Sequence, residues 1–138
     1  IGEVLGRMPE VKAITDVTGF GLLGHLAEMC EGSGLQAVID FNKVPKINAI
    51  DEYLIKGCIP GGTNRNWAGY GHKIWPITEQ QILILADPQT SGGLLSAVDT
   101  ADKTDFENVL RDNGVGEECI VEIGQLENPD RIPVVRVE

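Results

Sequence analysis

Three stretches of the chain combine small, polar and acidic residues in a way that suits anions and hard cations. The first, Thr15 to His25, reads TDVTGFGLLGH. Gly19 and Gly21 stand just before an apolar run, where glycine lets a backbone turn tightly and approach a ligand. The free N–H groups of a helix start can face phosphate. Asp16 lies immediately upstream of the turn, and a carboxylate beside a phosphate site works through Mg²⁺, which takes oxygen ligands and bridges to phosphate oxygens. The plainer alternative is that Asp16 or Thr18 caps the helix. The second stretch, Pro60 to Trp67, reads PGGTNRNW. Thr63, Asn64, Arg65 and Asn66 make a polar loop that can hold an anion, with Arg65 offering a two-pronged fork to phosphate. Equally, Asn64 and Asn66 can close turns while Trp67 and Tyr70 anchor the loop to the core. The third, Ala86 to Leu95, reads ADPQTSGGLL. Asp87-Pro88 favours a turn, and Thr90, Ser91, Gly92 and Gly93 can form a nest of backbone N–H groups. It can also be a helix-to-strand connection that needs small residues.

Few other residues offer chemistry. His25 and His72 are the two histidines; His25 is poorly spaced from Cys30 to share a ligand, so packing or hydrogen bonding is expected of it, while His72 follows GYG in a loop. Cys30, Cys58 and Cys119 lie far apart with no CxxC pair, which reads as reduced thiols with packing roles in a cytoplasmic protein, not a disulfide frame or a zinc site. No Ser/His/Asp or Cys/His set is visible.

The elements that must position these residues can be read from periodicity. Ala13 to Val17 reads as a short strand. From Leu22, apolar residues at 22, 23, 26, 29 and 30 mark one helix face, stopped by Gly32 and Gly34. Leu35 to Phe41 looks like a strand. A helix is expected over Ala49 to Lys56 with Ile50, Tyr53 and Leu54 inward, then a long ordered loop over 57–77. Thr78 to Gln81 has capping-box spacing before a helix reaching Leu85. Leu94 to Val98 is a strand. Thr104 with Glu107 suggests a second capping box, with Phe106, Val109 and Leu110 as its helix's buried stripe and Gly114 as its stop. Ile120 to Ile123 and Val134 to Val137 complete the strands. The interleaving predicts an α+β fold, a layered α/β sandwich with a mixed sheet of about four strands.

Composition bounds the whole. The 138 residues suffice for one domain with a true core, and 42% hydrophobic with 23% charged residues is ordinary globular material. Eleven basic against 21 acidic residues give −10, which disfavours a broad nucleic-acid or anionic-membrane surface. No apolar run approaches the ~18 residues of a membrane span, and no signal peptide is apparent. Residues 99–130 hold ten acidic and two basic residues, expected as a solvated face around the last helix. The motif-bearing part is closer to neutral. The chain opens on Ile1 rather than Met, so a piece of a longer polypeptide is expected.

Taken together and in this order, TDVTGFGLLGH, GGTNRN and DPQTSGGLL resemble the C-terminal domain of the selenophosphate synthetase family, within the aminoimidazole-ribonucleotide-synthetase-like superfamily. The likeness runs from about Val11 to Val98, weaker to the end. It implies that residues 1–138 are a single C-terminal domain of a two-domain enzyme that turns ATP, selenide and water into selenophosphate, phosphate and AMP. ATP would lie in a cleft between the domains, held largely through Mg²⁺. The family's TDVTGFG aspartate is a metal ligand, which makes Asp16 one here. Thr15, Thr18, Gly19, Gly21, Thr63, Asn64, Arg65, Gln89 and Thr90 are expected near the cleft. The family's nucleophile, essential lysine and most metal-binding aspartates belong to its N-terminal half, so no catalytic residue is expected in this chain, and its cysteines do not inherit the nucleophile's role. The fragment is expected to be inactive and monomeric, and the full-length enzyme a homodimer. The alternatives are another enzyme of the superfamily, such as aminoimidazole ribonucleotide synthetase or thiamine monophosphate kinase, or a non-catalytic binding module.

Overall fold

A computed structural model describes residues 1–129 and 133–138. In chain order the elements are α1 (Gly2–Leu5), β1 (Val11–Asp16), α2 (Gly21–Ser33), β2 (Gln36–Ile39), α3 (Ile50–Ile55), α4 (Gly61–Tyr70), α5 (Glu79–Leu85), β3 (Leu94–Val98), α6 (Lys103–Asp112), β4 (Gly124–Glu127) and β5 (Val135–Val137). The α+β class is as expected, with one refinement. The five strands among the described residues form two sheets: an antiparallel pair β1–β3 and a mixed sheet in the order β4-β2-β5.

The core forms where α2 lies on the mixed sheet. β2 is buried along its whole length, antiparallel to β4 on one side and parallel to β5 on the other. Leu23, Leu26, Ala27 and Cys30, spaced as one helical stripe, pack with Ala37 and Ile39 of β2, Val135 of β5, and Leu85 of α5. Gly34, with φ 67°, ends α2 in the left-handed conformation glycine favours. α5 opens on the expected capping box: the Thr78 hydroxyl accepts the Gln81 N–H, and the Gln81 side chain accepts the Thr78 N–H.

Several expectations are corrected. Residues 57–77 are not a long loop: most of the segment is α4 and a 3-10 turn at Gly71–Lys73. Its helical stripe is Thr63, Asn66, Trp67 and Tyr70, half polar, so the hydrophobic period that announces a helix is muted. α3 forms but has no buried residue, and Tyr53 is 49% exposed. The Thr104–Glu107 box is absent. α6 starts at Lys103 without a side-chain cap, and Glu107 instead pairs with Lys103 and Arg111 at i,i+4 spacing. Ile120–Ile123 is irregular. The strand lies one step later, where Gly124 sits opposite Ile39; a Cβ at Gly124 would fall 2.1 Å from the Val38 carbonyl oxygen, so only glycine lets the chains close there. Cys58 and Cys119 are exposed, not core residues. The acidic surface around α6 is solvated as expected, with Glu117 and Glu122 pulled below the usual carboxylate range by hydrogen bonds from Arg111 and Lys103; Asp130 of that segment lies outside the described residues.

Candidate functional site: three motifs on one frame

The three motifs, spread over residues 15–95 of the chain, meet at the end of the β1–β3 pair. Asp16 is the last residue of β1 and lies opposite Leu94 of β3. The ladder runs one bond further, from the Val17 N–H to the Gly93 carbonyl at 2.9 Å. This joins TDVTG to TSGG. The chain then turns into α2, and the Thr18 carbonyl accepts both the Gly21 N–H and the Gln89 N–H, each at 3.0 Å. Gly21 has φ 69°, and a Cβ there would lie 2.8 Å from the Ala86 carbonyl carbon and 2.9 Å from the carbonyl oxygens of Leu85 and Asp87. The turn into α2 is thus seated on the backbone of the third motif.

α4 locks the arrangement from outside. Thr63, 0% exposed, donates its hydroxyl to Asp87 Oδ1 at 3.2 Å. Gln89 donates to the other carboxylate oxygen, Oδ2, at 2.7 Å. The Asn66 amide donates to the Gly19 carbonyl at 2.8 Å and to the Ala86 carbonyl at 2.9 Å, bridging motifs one and three with a single side chain. The Tyr70 hydroxyl donates to the Phe20 carbonyl at 2.6 Å. Burial pushes that phenol well above its usual range, so it remains a donor.

The expected site residues therefore divide. Thr18, Gly19, Gly21, Thr63 and Gln89 belong to one hydrogen-bonded frame, with Asp16 at its edge. Thr15 is half-buried in β1, and its hydroxyl lies 3.5 Å from the Asp16 carbonyl. Asn64 and Arg65 are exposed on α4, and Thr90 is exposed after the Asp87 turn. Arg65 borders an open groove of ≈ 240 Å³ between α2 and α4, with Phe20, Gly24, Tyr70 and Lys73. His72 is exposed in the 3-10 turn. Three residues outside that set turn out to matter: Asp87, Asn66 and His25. The spacing 63, 66, 67, 70 carried the signal for Asn66, since it is one face of a helix. Nothing local marked Asp87 beyond its turn-forming Pro88.

The Asp16 carboxylate is exposed and makes no hydrogen bond or ion pair among the described residues. It can offer hard oxygen to a cation. One carboxylate fills only part of the octahedron Mg²⁺ demands, and no group of three His, Cys, Asp or Glu side chains among the described residues is able to hold a metal. Alone, Asp16 can supply one of the oxygen donors Mg²⁺ takes, not a complete site. No helix among the described residues is long and apolar enough to cross a membrane.

The chain matches, over residues 3–136, the family described as AIR synthase related protein, C-terminal domain. It belongs to that family. Its relatives include proteins named selenide, water dikinase: one from Colwellia psychrerythraea, 46% identical over 94% of this chain and 38% of its own length; one from Haemophilus influenzae, 44% identical over 98% of this chain and 38% of its own; and one from Pseudomonas putida, 52% identical over 83% of this chain and 33% of its own. The chain therefore spans 33–38% of the length of these curated relatives.

Proposed function

We propose that this chain is the C-terminal domain of a selenide, water dikinase, in which ATP, selenide and water yield selenophosphate, phosphate and AMP. The domain supplies one wall of the ATP cleft, and its own preceding N-terminal domain supplies the other. The observation that carries this reading is the exposed, unpaired Asp16 carboxylate held at the rim of a frame built from all three motifs. Mg²⁺, when bound, neutralises polyphosphate charge and orients it for in-line attack. Asp16 contributes one oxygen donor from this side. Thr18, Gly19 and Gly21 set the shape of the turn beneath it, and Gln89 and Thr63 fix the Asp87 turn against which it rests. Because the other donors come from the preceding domain, metal binding and closure of the two domains are coupled. The isolated domain is inactive and monomeric, and the complete enzyme is a cytoplasmic homodimer.

The test uses the complete polypeptide that carries this domain. Selenide-dependent release of AMP from ATP is expected, and Asp16→Ala is expected to abolish or strongly impair it with the fold intact by circular dichroism. Near-normal turnover in that variant removes Asp16 from the mechanism. ATP use that depends on a ribonucleotide or on thiamine phosphate, instead of selenide, overturns the assignment itself.

A further inference from the structure

His25 sits in the second turn of α2, 8% exposed, and its ring faces back onto the first motif. Its Nε2 lies 3.1 Å from the Thr18 backbone nitrogen and 3.2 Å from the Thr18 hydroxyl oxygen. A backbone N–H only donates, so Nε2 must present a lone pair. The ring proton then resides on Nδ1, on the side of the Glu28 carboxylate 3.7 Å away. The Phe20 ring centroid stands 5.7 Å from the imidazole at a tilt of 51°.

The peptide that His25 grips is the hub of the site. The Thr18 carbonyl already holds Gly21 and Gln89. With the imidazole on its N–H, Thr18 is tied on both of its peptide groups, two residues after Asp16 and one before Gly19. A leucine or phenylalanine at position 25 would fill the same space and leave that N–H without a partner.

We propose that His25 is a positioning residue: as the neutral Nδ1–H tautomer it accepts the Thr18 amide, fixes the turn from Val17 to Gly21, and so aims the Asp16 carboxylate at the cation. The aiming rests on the metal role proposed for Asp16, whereas the tautomer and the clamp do not. A partner bonded directly to a metal ligand is worth roughly 10–100-fold in metal affinity; His25 reaches Asp16 through the Thr18 peptide, so the low end of that range is expected.

Two measurements test it. Long-range ¹H–¹⁵N correlation on the 138-residue chain should show His25 protonated at Nδ1 and pyridine-like at Nε2. A proton on Nε2 at neutral pH overturns the clamp, and this reading requires no variant to fold. In the complete polypeptide with ATP, Mn²⁺ binding followed by electron paramagnetic resonance should weaken by roughly 10-fold in His25→Phe. It should recover to within about threefold of wild type in His25→Gln, whose amide oxygen supplies an acceptor. Asp16→Asn is the control for the underlying reading. If Asp16→Asn loses Mn²⁺ while His25→Phe binds as wild type, the positioning role is overturned and the metal role of Asp16 stands. If Asp16→Asn binds as wild type, the metal role falls, and the aiming with it.

Discussion

Gly19 and Gly21 look interchangeable in the string TGFGLLG, yet the structure gives them opposite tolerances. Replacing Gly21 by alanine forces a Cβ onto a residue with φ 69°, a conformation that costs an L-residue about 1–2 kcal/mol. The same Cβ meets three backbone atoms at 2.8–2.9 Å, all from Leu85, Ala86 and Asp87. Backbone at a helix end cannot swing aside as a flexible side chain would, so overpacking adds about 1–3 kcal/mol. The total, about 2–5 kcal/mol, is a large share of the ~5–15 kcal/mol that holds a domain of this size together. With a urea slope of about 2 kcal/mol/M, the unfolding midpoint should fall by roughly 1–2.5 M at unchanged slope. Gly19→Ala is the internal control. Its Cβ meets nothing within 4 Å, and its φ is not positive, so a change within about 0.5 kcal/mol is expected. Equal midpoints for Gly21→Ala and wild type would refute the seating of the α2 turn on the third motif. Equal losses for the two alanines would refute the distinction between them.

Two further outcomes are expected. Asn66→Ala removes both donors that bridge the Gly19 and Ala86 carbonyls and should cost about 1–3 kcal/mol in urea; Asn66→Asp should be worse, because it turns a carboxylate toward two carbonyl oxygens. Cys30 is fully buried, and burial raises its thiol pKa from 9.0 to about 11. The fold therefore favours the protonated thiol: its contribution is intact below pH 9, and stability falls as pH rises from 9 toward 11, by on the order of 2–3 kcal/mol. A pH series of urea midpoints should show a smaller fall in Cys30→Ala than in wild type, the remainder coming from the buried Tyr70 phenol, which the fold also holds protonated. At pH 8 a thiol reagent should label the exposed Cys58 and Cys119 in the native protein and reach Cys30 only after unfolding.

What could be read from the sequence was what local chemistry specifies. β3 falls on Leu94–Val98 as expected, because a short, mostly apolar run bounded by Gly-Gly and Asp needs no distant partner to be recognised. α5 begins at the Thr78–Gln81 box because both of its hydrogen bonds close within four residues. Where pairing depends on a distant strand, local chemistry does not locate it. Ile120–Ile123 carries the apolar signal, but Gly124 carries the permission to approach β2, and sterics between chains outrank hydrophobicity there. The division into two sheets was likewise invisible, since it depends on which strands pair and not on which residues form strands.

The site shows the same division more sharply, and α4 explains why. Each motif announced itself by glycines and small polar residues, but each also had a bland local reading, and no local argument chose between them. The choice is made by bonds that span the chain: Asn66 to Gly19 across 47 residues, Thr63 to Asp87 across 24. Those bonds require a helix whose inner face carries hydroxyl and amide groups where an ordinary helix would carry leucine. That substitution hides α4 from a hydrophobic-period reading, and it is also what lets α4 grip carbonyls and a carboxylate instead of a greasy core. The least helix-like helix is thus the one that assembles the site. A variant that made α4 read as an ordinary amphipathic helix, Thr63→Val with Asn66→Leu, should keep its helical content by circular dichroism while losing the coupling between the first and third motifs. Amide exchange at Gly21 and Gln89, whose N–H groups share the Thr18 carbonyl, would report that loss directly. Protection at both positions equal to wild type would mean that α4 merely covers the frame and does not hold it.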